Sequence, residues 1–179
     1  MRLALSLVLL CSLAVSNTGC GESSSNAGGI SATSVTPVSI DGSKYVLAEE
    51  PDDAIGVIAA RESAQDGEPI VVVGRIGGAA NPWIEGRAAF TLLDASKLIV
   101  AEGVDSGENE MCTGDCCATE RAGCTMLVKV VDESGRVLAA DSRKLFGLAA
   151  NDMVVVRGTV SKDESGNVAV LADGVHVRR

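Results

Sequence analysis

From residue 69 onward, the apolar residues come in short β-branched bursts cut apart by turn sequences. Ile70-Val71-Val72-Val73 stops at Gly74, Ala89-Phe90-Thr91-Leu92-Leu93 ends at Asp94, and Met126–Val131 runs into Asp132-Glu133-Ser134-Gly135. A short strand is expected at Arg136-Val137-Leu138. Met153–Val160 and Val168–Leu171 with Val175–Val177 flank a polar turn over 162–167. Bursts of this kind, bounded by Gly, Asp, Asn and Ser, read as strands. Gly74 inside such a run predicts a bulge or a barrel corner. The motif DESG at 132–135 recurs at 163–166, as two similar turns rather than a duplicated domain. Two segments break the β rhythm. Residues 51–62 place Pro51, Asp52 and Asp53 ahead of Ile55, Ile58 and Ala59, the spacing of a short amphipathic helix with acids at its start. Residues 141–150 predict a brief helix with Leu145, Phe146 and Leu148 inward and Asp141 as its N-cap.

Strand, strand, strand, short helix, strand, strand is the order of a five-stranded Greek-key barrel. The stretches VVVGRIGG, VVDESGRVL and NDMVVVRGTVSKDESGNVAVL resemble the OB-type domains of several exported bacterial proteins. The resemblance implies a mostly β chain: a small OB-like Greek-key barrel over 45–179, with one N-terminal helix and one short helix between strands 3 and 4. The hairpin of strands 2 and 3 either joins Ala89–Leu93 to Met126–Val131 or is the DESG turn itself.

The N-terminus is an address. Met1-Arg2 precedes the apolar run LALSLVLLCSLAV at 3–15, a signal-peptide core too short to stay as a membrane span. Asn17-Thr18-Gly19-Cys20 resembles a bacterial lipobox, with Asn17 where an aliphatic residue is usual. This implies a signal peptide over 1–19, lipid on Cys20 and a tether over 20–44, of which 21–36 is Gly/Ser-rich. The expectation is an exported protein of the cell envelope, held to a membrane by its lipid. Its other cysteines then meet an oxidising compartment.

Charge and composition narrow the function. With 15 basic and 24 acidic residues the net charge is −9, and the chain has four aromatics. Single-strand binding needs a positive groove and stacking platforms, so a nucleic-acid partner is not expected. Trp83, in a loop after Asn81-Pro82, and Arg75 are the candidate ligand-facing residues. His176 is the single histidine, and no nucleophile elbow or dinucleotide fingerprint accompanies it, so no catalytic residues are expected. These features predict a non-enzymatic binding module without cofactor, its ligand a protein, a glycan or a small molecule.

Residues 101–124 (AEGVDSGENEMCTGDCCATERAGC) form the most distinctive segment. Six acids precede its first base, Arg121, and it holds Cys112, Cys116, Cys117 and Cys124. Two disulfides are expected to staple it, since it has few apolar residues. Joining the neighbours Cys116 and Cys117 is sterically disfavoured. The pairings left are 112–116 with 117–124, or 112–117 with 116–124. The alternative is a metal site: thiolates suit zinc or copper(I), although C-x3-C-C-x6-C is not a usual zinc spacing.

Overall fold

A computed structural model describes residues 40–101, 103 and 107–179. The expected signal peptide and the lipidation site at Cys20 lie outside the described residues. In chain order the elements are β1 (Ile55–Gly56), α1 (Val57–Ser63), β2 (Pro69–Ile76), β3 (Ala89–Leu93), β4 (Leu98–Val100), β5 (Glu110–Cys112), α2 (Ala118–Cys124), β6 (Thr125–Val130), α3 (Ser142–Phe146), β7 (Met153–Lys162) and β8 (Val168–Arg178). No helix among the described residues is long and apolar enough to cross a membrane.

Five strands close on themselves. β2 pairs with β3, β3 with β6, β6 with β8, β8 with β7, and β7 returns to β2. Every pairing around this ring is antiparallel except β6–β8. The closed, mostly β OB-like barrel expected from the element order is the fold, with α1 ahead of it and α3 between its third and fourth strands. The core follows from strand alternation: Val72 and Ile76 of β2, Met126, Val128 and Val130 of β6, and Val154 and Val156 of β7 are all at most 1% exposed. β1 lies parallel to β2 at Val72 and Val73, on the edge that β3 reaches only at Arg75 and Ile76.

Gly74 is not a bulge. It stays in register opposite Val154, and the glycine is needed for close approach. A Cβ there would lie 2.8 Å from the Leu93 carbonyl oxygen and 3.1 Å from Val57. The ladder irregularity falls instead between Arg157 and Gly158, where Arg157 faces Gly174 and Gly158 faces Ala172, leaving Asp173 as the extra residue. That bulge lets residues 168–178 run as one strand.

The N-terminal helix begins later than its acids suggest. Ile55 and Gly56 are extended, and the buried face of α1 is Val57 and Ala60, with Ile58 half-buried and Ala59 exposed. Pro51 and the two Asp therefore precede β1 instead of opening the helix. α3 is capped as expected: Asp141 accepts from the Arg143 amide at 2.9 Å, and Gly147 ends the helix in the left-handed region. The two DESG turns share one construction. Asp132 Oδ1 accepts from the amides of Ser134 and Arg136 at 2.9 and 3.1 Å, and Asp163 Oδ1 accepts from those of Ser165 and Asn167, both at 2.9 Å. Beyond the first turn, Val137 makes a single bridge to Val131, not a strand. Part of the expected tether is also built in, because Ile40 packs on the core and Gly42 is buried.

Candidate metal centre

Leu93 pairs with Thr125 and Ala89 with Lys129, so β3 and β6 form the hairpin of strands 2 and 3, and the cysteine-bearing segment replaces its turn. The described residues of this insertion are folded. β4 and β5 pair in parallel from Leu98–Glu110 to Val100–Cys112. Met111 is fully buried and meets Leu93 and Cys124 in a second, smaller core, against which Ile58, Ile99 and Cys117 pack. Fully burying a Leu or Met side chain is worth about 1.5–3 kcal/mol, so two of them, about 3–6 kcal/mol, are worth at least as much as the ~2–4 kcal/mol of one disulfide.

Asp94 ties the insertion to the barrel. Its carboxylate is buried, accepting from the Ile58 amide at 2.9 Å and from the Ser96 amide and hydroxyl at 3.0 and 2.7 Å. Burial pushes its pKa up, but these donors outweigh it and hold the carboxyl below its ordinary value. On the other flank Arg61 donates to the Thr125 carbonyl at 3.0 Å.

Gly114 and the 3-10 turn Asp115–Cys117 swing the chain back over the end of β5. Three sulfurs meet there: Cys112 Sγ lies 2.9 Å from Cys117 Sγ and 3.1 Å from Cys116 Sγ, and Cys116 lies 3.8 Å from Cys117. Cys112 is buried, Cys117 half-buried and Cys116 exposed, so the cluster is backed by protein on one side and open on the other. Thiol hydrogen bonds from Cys117 and Cys116, and then the amides of Gly114 and Cys117, lower the pKa of Cys112 below its ordinary value. Hydrogen bonding with Cys112 and Cys117, and their charge, push Cys116 up to about 11. Cys112 is thus the sulfur whose charged form its neighbours favour. Arg121, half-buried, donates to the carbonyls of Cys112 at 2.7 Å and Gly114 at 2.9 Å, holding the chain where it enters the turn. Each such charge-assisted bond is worth about 1.5–3 kcal/mol.

The two expected disulfides are absent. All four cysteines are free thiols, and the closest sulfurs are well beyond the roughly 2.05 Å of a bond. Both pairings required Cys124 to bridge to Cys116 or Cys117. Instead it ends α2 in the small core, outside the group whose sulfurs all lie within 4.8 Å of one another. Burial pushes its thiol pKa up, which favours the protonated thiol.

Trp83 and Arg75 are built into the barrel. Trp83 is half-buried on the core, tilted against Phe90 at 6.2 Å between ring centroids, with the Arg143 guanidinium 5.6 Å over its ring. Arg75 donates to the Asn151 carbonyl at 3.3 Å, and its Nε is buried without a partner. His176 is half-buried, with Nδ1 3.0 Å from the Leu47 carbonyl oxygen. Neither Asp94 nor Arg121 stands out by type in the sequence, although Arg121 is the first base after the run of acids.

No protein-family model matches this chain, and no curated protein does. Among solved structures it is similar to one titled "OBody AM1L10 bound to hen egg-white lysozyme", at 14% identity and a TM-score of 0.34, over 64% of this chain and 81% of that chain.

Proposed function

We propose that this chain is an exported, lipid-anchored OB-like module of the cell envelope that binds a soft metal ion, without catalysis, through Cys112, Cys116 and Cys117. The observation that carries the reading is the convergence of those three sulfurs on one open-sided turn. A metal–sulfur distance of about 2.3 Å puts tetrahedral ligands about 3.8 Å apart. Cys116 and Cys117 already stand at that separation. Cys112 is closer to both and opens by less than about 1 Å, a side-chain adjustment, to admit an ion.

Ligand chemistry favours copper(I) over zinc. Among the described residues no histidine or carboxylate joins the three thiols, and three soft donors satisfy Cu(I), whereas Zn2+ would need water to complete its tetrahedron. Exposed Cys116 is the point of entry, and buried Cys112 the innermost donor.

The test is anaerobic titration of the full chain with Cu(I) in competition with a chromogenic chelator, followed by metal analysis. One Cu(I) per chain, retained against the chelator, is expected. A chain that yields all its copper to the chelator and takes up no zinc contradicts the reading.

A further inference from the structure

A second cleft, on the outer surface of the barrel, has a chemistry unlike the rest of the molecule. It has a volume of about 520 Å3, within the range of small-ligand sites. Strand alternation builds it. Met126, Val128 and Val130 point into the barrel, so Leu127 and Lys129 of the same strand face outward, both half-buried. Ile84 closes one side and Val137 the other, each held by a main-chain contact: the Ile84 amide donates to Ala89 at 3.1 Å, and Val137 bridges to Val131. Ile84 is 46% exposed, an apolar side chain left open at the mouth of an apolar floor.

The charged residues of the lining are all cations: Arg87, Lys129 and Arg136. In a chain with 24 acids and 15 bases, three bases without an acid run against the composition. Arg136 holds Asp132 at 3.2 Å on one side of its guanidinium, while Arg87 and Lys129 form no ion pair among the described residues. No aromatic residue lines the cleft, so it offers no platform for a base or a sugar ring.

We infer that this cleft binds a small amphipathic anion, an aliphatic carboxylate whose chain lies on Ile84, Leu127 and Val137 and whose head group meets Arg87 and Lys129. Both halves are needed. Exposed charges alone hold an anion weakly, and the apolar floor supplies the burial that favours a chain over a bare ion. The site shares no residue with the thiol cluster, so the two proposals stand or fall separately.

The test is chemical-shift mapping of the isotopically labelled full chain titrated with decanoate, acetate and decyltrimethylammonium, each below its micelle-forming concentration. Decanoate is expected to give saturable shifts centred on Ile84, Leu127 and Val137, acetate none, and the cation binding at least about tenfold weaker. Lys129→Gln and Arg87→Gln are each expected to weaken decanoate about fivefold, while Cys112→Ser leaves it unchanged. Equal binding of the anionic and cationic chains, shifts that do not saturate, or saturable shifts centred elsewhere would overturn the proposal. The contrast between the ligands decides the charge requirement even if a substituted chain does not fold.

Discussion

The Asp94 carboxylate accepts a hydrogen bond from the amide of Ile58 at 2.9 Å, 36 residues away in sequence. α1 has no side-chain cap of its own, because Gly56 precedes it. Asp94 supplies the missing acceptor from the end of β3 and places a negative charge at the helix start, where it is favoured. It also turns the chain into the insertion through Ser96. One side chain therefore fixes the helix, the barrel end and the root of the cysteine segment.

Asp94→Ala is expected to cost about 1–3 kcal/mol in urea unfolding, since it leaves buried amide donors unpaired. The pH dependence has a definite sign. The carboxyl pKa is held down in the folded state, so its stabilisation is complete above the ordinary carboxylate range and is lost as pH falls through the folded value. Over that acid window the wild type should lose more stability than Asp94→Ala. Parallel stability curves would show that the carboxylate is not doing this.

Met111→Ala removes the fully buried centre of the small core, and about 2–5 kcal/mol is expected for such a deletion. The loss should be local. Hydrogen exchange should quicken across 95–124 while the amides of β7 and β8 keep their protection. Uniform loosening of the barrel would mean that the insertion is not a separate packing unit.

Gly74→Ala forces a methyl group against the Leu93 carbonyl and Val57. A destabilisation of about 1–3 kcal/mol is expected from overpacking, read from the thermal midpoint. A neutral result would show that β2, β3 and α1 do not approach so closely.

Trp83 is the single tryptophan, so its fluorescence reports one site. Packed on Phe90 under Arg143, it should emit to the blue of a solvent-exposed indole. Arg143→Ala should shift the emission to the red, and decanoate should leave it largely unmoved. An emission already at the solvent-exposed position would return Trp83 to the role of an open ligand platform.

The barrel was legible because its strands are β-branched runs whose alternation fixes the inward face, as at Met126, Val128 and Val130. Asp141 and the two DESG turns were legible because their caps are local, with donors within four residues. What could not be read was long-range. The cap on α1 comes from Asp94, Gly74 is small because of Leu93 and Val57, and the start of the helix is set by strand pairing at Ile55 and Gly56. The insertion was read by its acids and cysteines, while Met111, Ile99 and Leu93 supply the core that disulfides were expected to replace. Three of the four cysteines bring their sulfurs together. The fourth differs because it ends α2 facing inward, and spacing alone does not carry that orientation.

The most direct measurement is native mass spectrometry of four variants loaded with Cu(I) without oxygen: Cys112→Ser, Cys116→Ser, Cys117→Ser and Cys124→Ser. The first three should lose the stoichiometric copper of the wild type, and Cys124→Ser should keep it, since Cys124 stands outside the cluster. Copper lost equally from all four, or a wild-type mass four hydrogens short with no metal bound, would contradict the three-thiolate centre.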